Sequence, residues 1–205
     1  METNNLKKYK TLLFINIILL ALFSFLFISK KNFEFLIYIG IIIIVLLAIW
    51  LTKNKVNYPP VVLWGLTTWA FLHMTGGGIY LGGKKVYEII LIPLVGEPYN
   101  ILKYDQFVHF FGFGIATLVM FYLIKPYLVK ENIGKIALSI VIIMAGLGVG
   151  AFNEIVEFIT TIIVPESGVG GYENTALDLV SNLLGAIAAM FYILKKEYPK
   201  KLINK

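Results

Sequence analysis

A chain of 205 residues, 59% hydrophobic and 15% charged, with a mean hydropathy of +0.82, is too apolar for a water-soluble domain and reads as an integral membrane protein. All 18 basic residues are lysines and the net charge is +6; they sit mainly at the ends of apolar segments, a pattern of membrane orientation rather than of nucleic-acid binding. Cysteine is absent, which excludes disulfides, thiolate metal ligands and a Cys nucleophile.

Residues 1–10 are polar and carry Lys7, Lys8 and Lys10. Thr11 to Ile28 is the first apolar span. Lys30 and Lys31 follow it where a signal peptide would show a small-x-small cleavage site, so an uncleaved helix is expected. Phe33 to Leu51 is the second span, with Trp50 as an interfacial anchor. These two spans, residues 1–56, carry no visible chemistry and are expected to pack or to face lipid. Pro59 and Pro60 suit a helix start, and the third span runs from Val61 to about Tyr80. It holds His73 and closes on Gly76, Gly77 and Gly78, which read as loop. Between residues 81 and 104, the apolar run Tyr87 to Val95 is too short to cross and is broken by Pro93; it predicts a re-entrant or interfacial piece.

The fourth span is Asp105 to Ile124, followed by a basic loop with Lys125, Lys130 and Lys135. The fifth is Ile136 to Ile163, long enough to tilt. A Pro/Gly loop with Pro165, Gly168, Gly170 and Gly171 leads to the sixth, Ala176 to Leu194, and a lysine-rich tail. The expected fold is all-α: one polytopic membrane domain over 1–205, a bundle of about six transmembrane helices. Residues 61–194 form its motif-bearing four-helix core, with the short re-entrant or interfacial segment between the third and fourth helices.

With both termini cytoplasmic, thirteen lysines lie inside and five outside (Lys30, Lys31, Lys84, Lys85 and Lys103). The positive-inside rule supports that orientation, with Lys84, Lys85 and Lys103 as violations. It places a multi-pass protein in the cell membrane and gathers the unusual polar residues in the outer half. Asp105 and His109 open the fourth span, Asp178 and Asn182 open the sixth, and His73 is near the outer end of the third. Glu154 and Glu157 lie roughly 9–14 Å deep in the fifth, at 1.5 Å per residue. Asp105 and His109, Asn153 and Glu157, and Asp178 and Asn182 are each spaced i,i+4 and share a helix face. Charge inside a membrane costs about 2.5–3.5 kcal/mol per residue near the centre, so such faces point inward and mark a functional site.

Two imidazoles and four carboxylates without cysteine suit Zn²⁺, Mn²⁺ or Fe²⁺, with His73, Asp105, His109, Glu154, Glu157 and Asp178 as candidate ligands. A cation would also relieve the repulsion between Glu154 and Glu157. Glu154, Glu157 and His109 are the candidate catalytic groups, and Asn153, Asn182 and Tyr80 candidate binding groups. The competing reading is that these side chains only pair, share protons and fix helix register. Gly146, Gly148 and Gly150 are not a phosphate loop, since no strand leads in and no Lys-Ser/Thr follows; at i,i+4, Gly146 and Gly150 favour close helix contact.

Several motifs together resemble the YjdF-like family of small multi-span membrane proteins of unassigned function. They are His73-Met-x-Gly-Gly with Tyr80, Tyr104-Asp105-x-x-Val108-His109-Phe110 with Gly112, Asn153-Glu154-x-x-Glu157, and a Gly-rich loop leading to Asp178 and Gly185. The resemblance spans about Leu63 to Ala189. The Asp-x-x-x-His opening of a span is also similar, more weakly, to VanZ-like proteins, which are linked to glycopeptide-antibiotic resistance. The polar layer leads to the expectation of a metal-dependent membrane enzyme acting at the outer leaflet on a lipid or polyprenyl head group. The alternatives are a proton-coupled transporter or channel, and a non-catalytic VanZ-like envelope factor. Membrane lipid and a lipid-linked or small-molecule substrate are the expected partners; nucleic acid is not.

Overall fold

The computed structural model describes residues 2–97, 99–128, 134–165 and 167–198, with the backbone alone for 2–8. Of the thirteen lysines on the expected cytoplasmic side, Lys130, Lys200, Lys201 and Lys205 lie outside the described residues, as do the side chains of Lys7 and Lys8. The described chain is built on six long helices: α1 (Glu2–Ser29), α2 (Phe33–Val56), α3 (Pro60–Gly78), α4 (Tyr104–Leu128), α5 (Lys135–Ile163) and α6 (Tyr172–Lys196). Five contain stretches long and apolar enough to cross a membrane: Tyr9–Ser29 and helices α2, α4, α5 and α6. Helix α3, of 19 residues, is not among them: Thr67, Thr68, His73 and three terminal glycines interrupt its hydrophobic run.

Local sequence explains where the helices stop and start. Asn32 caps α2, its side chain accepting from the Phe35 N–H at 3.2 Å. Asn57 ends α2 in the left-handed conformation (φ 49°) just after Lys53 and Lys55, which face the helix C-terminus favourably. Pro60 is the first residue of α3, where its missing N–H leaves no bond unmade.

Helix α4 is the hub, packing on α3, α5 and α6, while α1 and α2 pack on each other and on α3. The α4–α6 crossing depends on two glycines: a Cβ on Gly185 would run into the Phe110 carbonyl, and one on Gly114 would lie 3.2 Å from the Gly185 carbonyl oxygen. Small residues let helix backbones approach in this way where lipid supplies no hydrophobic drive. One half of the bundle is filled by an apolar core that includes Leu63, Leu118, Ile142 and Met190. The other half holds an aromatic cluster around Phe27, Phe35 and Tyr38. Large apolar side chains such as Phe25, Leu51 and Ile136 are exposed, the inside-out surface of a protein solvated by lipid.

Three expectations are sharpened. First, the bundle is mostly helical, and the segment between α3 and α4, expected as a re-entrant or interfacial piece, is built from short strands. It forms two antiparallel pairs, β1 (Tyr80–Leu81) with β2 (Lys84–Lys85) and β3 (Ile90–Val95) with β4 (Ile101–Lys103), around a 3-10 turn at Val86–Glu88. Gly82 and Gly83, both at positive φ (59° and 83°), make the first a two-residue hairpin, and the isoleucine-rich run with Pro93 favours an irregular strand over a helix. Second, Gly76 to Gly78 are not loop; they are the last turn of α3, pressed against the rings of Tyr87, Phe35 and Phe27. Third, α2 is not mere packing, because Glu34, Phe35 and Tyr38 line the cavity described next.

Candidate functional site

The site is assembled by the first turns of α4 and α6 and the C-terminal half of α5, which the antiparallel packing brings to one end of the bundle. His109 is its centre. Its Nδ1 lies 3.1 Å from the Asn182 side-chain oxygen and 3.6 Å from Glu154 Oε1, and its Nε2 lies 3.7 Å from Asp105 Oδ1 and 3.8 Å from Glu157 Oε1. Asn182 is fully buried, its side-chain oxygen accepts from the His109 Nδ1–H, and Nε2 is turned toward Asp105 and Glu157. Two further amides hold the acids. Asn174 donates to Asp178 at 2.5 Å and to Asp105 at 3.3 Å, and Asn153 donates to Glu157 at 2.7 Å.

The 3.7 and 3.8 Å separations of Nε2 from the Asp105 and Glu157 oxygens are long for hydrogen bonds and leave room for a cation on that side of the ring. Two groups offer ligand atoms within 4.8 Å of one another: Asp105, His109 and Asp178, and His109, Glu154 and Glu157. Both oxygens of Glu154 and one of Asp178 are buried without a hydrogen-bond partner. Four carboxylates around one imidazole, in an interior of low dielectric, cannot all be ionised without a compensating charge. Protons or a bound dication are the two ways to supply it.

A cavity of about 240 Å³ runs from this cluster to the helix ends. Asp105, His109 and Glu157 line its inner part. His73 forms part of the same wall but stands outside both ligand groups. Its Nδ1 is 2.5 Å from the Tyr87 hydroxyl, its ring stacks on Trp69 at 5.6 Å, and Phe35 and Tyr38 enclose it. Burial, helped by the charges of Asp105 and Glu157, pushes the Tyr87 hydroxyl well above the phenol range, so it stays protonated beside His73 Nδ1. Toward the helix ends the wall is closed by Glu34, whose carboxylate accepts from the Gly168 N–H at 2.7 Å and lies 3.6 Å from Lys85 Nζ. Glu88 and Lys103 also line this part. Tyr80 is not in the cavity wall; it lies half exposed on β1 with Lys30 Nζ 5.3 Å from its ring centre.

Tyr87, Trp69, Asn174 and Glu34 are site residues that the sequence did not single out. Asn174 is one turn before Asp178 on the same face and becomes visible once α6 starts at Tyr172 rather than Ala176. Glu34, a charge at the head of an apolar span, was also legible. Tyr87 had no signal, since its contact with His73 exists only because the strand pairs fold back over the end of α3.

Fold and site together define a polytopic membrane protein with an acid–histidine cluster buried among its helices. The family described as predicted membrane protein (DUF2238), to which the YjdF-like resemblance points, matches residues 11–197, and the chain belongs to that family. No curated protein and no solved structure matches the chain. The likeness to VanZ-like proteins rests on the Asp105-x-x-x-His109 motif alone.

Proposed function

We propose that the protein is a metal-dependent membrane enzyme that hydrolyses or otherwise modifies a lipid or polyprenyl head group. The observation that carries this reading is the convergence of Asp105, Glu154 and Glu157 on the ring nitrogens of His109 at 3.6–3.8 Å, beside a cavity open toward the helix ends. Asp105, His109 and Asp178, whose ligand atoms lie within 4.8 Å of one another, would hold Zn²⁺, Mn²⁺ or Fe²⁺, all of which accept mixed imidazole and carboxylate ligands. Such an ion polarises a phosphoryl or carbonyl oxygen and lowers the pKa of water. Glu154, buried beside His109, Asn153 and Asn182, would serve as the general base. The bond to Asn182 orients the His109 ring so that Nε2 faces the acids, and Asn153 and Asn174 fix the carboxylates. The cavity is below the roughly 300–1,000 Å³ of sites for drug-sized ligands, a size suited to a head group rather than to a whole lipid. The excess of lysines at the opposite ends of the spans supports an opening on the outer side of the cell membrane.

The alternative, a proton-coupled transporter, needs a polar path through the other half of the bundle. There Gly146 seats on Thr117, Gly150 seats on Asn182, and the buried core around Leu118, Ile142 and Met190 fills the interior. That filling weighs against a continuous path.

The test is a titration of metal-stripped protein in detergent with Mn²⁺, followed by electron paramagnetic resonance. Wild type is expected to bind about one ion, and His109→Ala to lose at least about tenfold in affinity. Vesicles carrying polyprenyl phosphates or phospholipids are then assayed for a released water-soluble head group or phosphate. Wild-type protein that binds neither Mn²⁺ nor Zn²⁺ would overturn the proposal.

A further inference from the structure

The ribbon formed by β3 and β4 is unusual for a surface element. Ile90, Leu91, Ile92, Leu94 and Val95 are between 42% and 63% exposed, although successive side chains of a strand point to opposite faces. Both faces of this strand are therefore apolar and uncovered, where a ribbon packed on its own protein would bury one. The ribbon is also anchored at membrane level. β4 runs directly into α4, a helix long and apolar enough to span, and the Tyr104 N–H donates to the Ile89 carbonyl at 2.8 Å to hold its base against that helix.

We propose that the β3–β4 ribbon is a membrane-seated lip, with the lipid of the adjoining leaflet as the occupant of its apolar faces. Its depth follows from its backbone. A two-stranded ribbon leaves its outer edges unpaired, and unpaired peptide groups are not tolerated in the hydrocarbon. The ribbon thus lies along the boundary between head groups and acyl chains, about 5–10 Å into the leaflet, with Lys103 at its base and Glu97 at its turn on the polar side. A second copy of the chain is the other conceivable occupant. Pro93 removes a donor from β3, and the pairing shifts register between Ile90 and Val95; both features blunt an edge against strand-to-strand association. Tyr87 and Glu88 precede β3, Lys103 ends β4, and all three line the cavity. Resting on the proposed function, the lip sets the route of access: a head group slides sideways from the leaflet into the cavity while its chains stay beside the ribbon.

The chain has no cysteine, so Ile92→Cys, Leu94→Cys and Glu97→Cys can each carry a single spin label in the full-length protein. The variants are reconstituted in vesicles of equal parts phosphatidylethanolamine and phosphatidylglycerol. Labels at 92 and 94 are expected to collide with oxygen, relative to a water-soluble nickel chelate, several-fold more than the label at 97. Equal nickel accessibility at all three positions overturns the lip. Dipolar broadening between labels at 94 on two copies also overturns it, in favour of ribbon pairing. The double variant Ile92→Asp/Leu94→Asp is expected to bind Mn²⁺ as wild type does. Loss of Mn²⁺ binding there would make the ribbon part of the site's scaffold and overturn its role as a lipid contact. Because the spin-label readout needs no cation, the lip and the metal site can fail separately.

Discussion

At the scale of single residues, Asn182 does the most with the least exposure. It is fully buried, its oxygen accepts from His109, and its side chain packs where Gly150 has no Cβ. Asn182→Leu leaves the His109 Nδ1–H without its acceptor in a buried site, at an expected cost of about 1–3 kcal/mol. It also releases the ring from its orientation, which for a ligand histidine lowers metal affinity by about 10–100-fold. Thermal unfolding in detergent, run with and without Mn²⁺, separates the two effects. A purely structural asparagine would lower the midpoint equally in both conditions, whereas the role argued here also shrinks the Mn²⁺-dependent rise. The fully buried Asp178 is held in the same way from one turn away, through Asn174.

At the scale of elements, the α4–α6 crossing is the closest backbone approach beside the site. Gly185→Ala places a methyl group against the Phe110 carbonyl and is expected to destabilise by about 1–3 kcal/mol through overpacking. Gly148 provides a matched control in α5, where a Cβ meets nothing within 4 Å. Gly148→Ala is expected to be neutral or to stabilise by up to about 1 kcal/mol, since alanine loses less backbone freedom in a helix. Equal midpoints for the two variants would refute the close contact.

The opposite end of the bundle carries its own tie, between Lys125 in the last turn of α4 and Glu197 just beyond α6, at 2.5 Å. Partial burial pushes the Glu197 carboxyl upward, but the bonds to Lys125 and Tyr122 outweigh it and hold the group below its ordinary value. A depressed carboxyl contributes stability that is fully present above the unfolded-state value of about 4.3 and is lost as pH falls through the lower folded-state value. Both side chains are partly exposed, so solvent limits the gain to about 0.2–1 kcal/mol. Lys125→Met is expected to lower the unfolding midpoint at pH 7 by a few degrees at most, with the difference closing below about pH 4. A difference that persists under acid would assign the loss to packing of the lysine stem.

At the scale of the whole molecule, the status of α3 decides the topology. It is the one long helix among the described residues that falls short, by length and composition, of a candidate span, yet it runs from Val62 and Leu63 in one core cluster to Met74 in the other. Its 19 residues measure about 28 Å, close to the roughly 30 Å of a bilayer's hydrocarbon. Six crossings put both termini on the same side, the cytoplasmic side if the lysine bias holds; five would put them on opposite sides. Alkaline phosphatase fused after Tyr99 and after Tyr198 is expected to be active at the first position and inactive at the second. Activity at both positions, or at neither, would exclude six crossings in the orientation argued here.

Composition and spacing alone determined that the chain is a helical membrane protein, the bounds of α2 to α6 to within about five residues though not the start of α1, and which polar residues share a helix face. These are local properties, set by the apolar content of about twenty consecutive residues and by the 3.6-residue turn. The i,i+4 spacing of Asp105 and His109 and of Asp178 and Asn182 needed no partner helix to be read. What lies across the cavity needed one. That Asn182 faces the ring of His109, that Tyr87 reaches His73, and that Glu34 closes against Lys85 and Gly168 are contacts between residues 14 to 134 positions apart. The strand pairs between α3 and α4 escaped for the same reason. Backbone hydrogen bonding in a ribbon is settled by the partner strand, and a short apolar run has no periodicity that tells a strand from a dipping helix until that partner is in place.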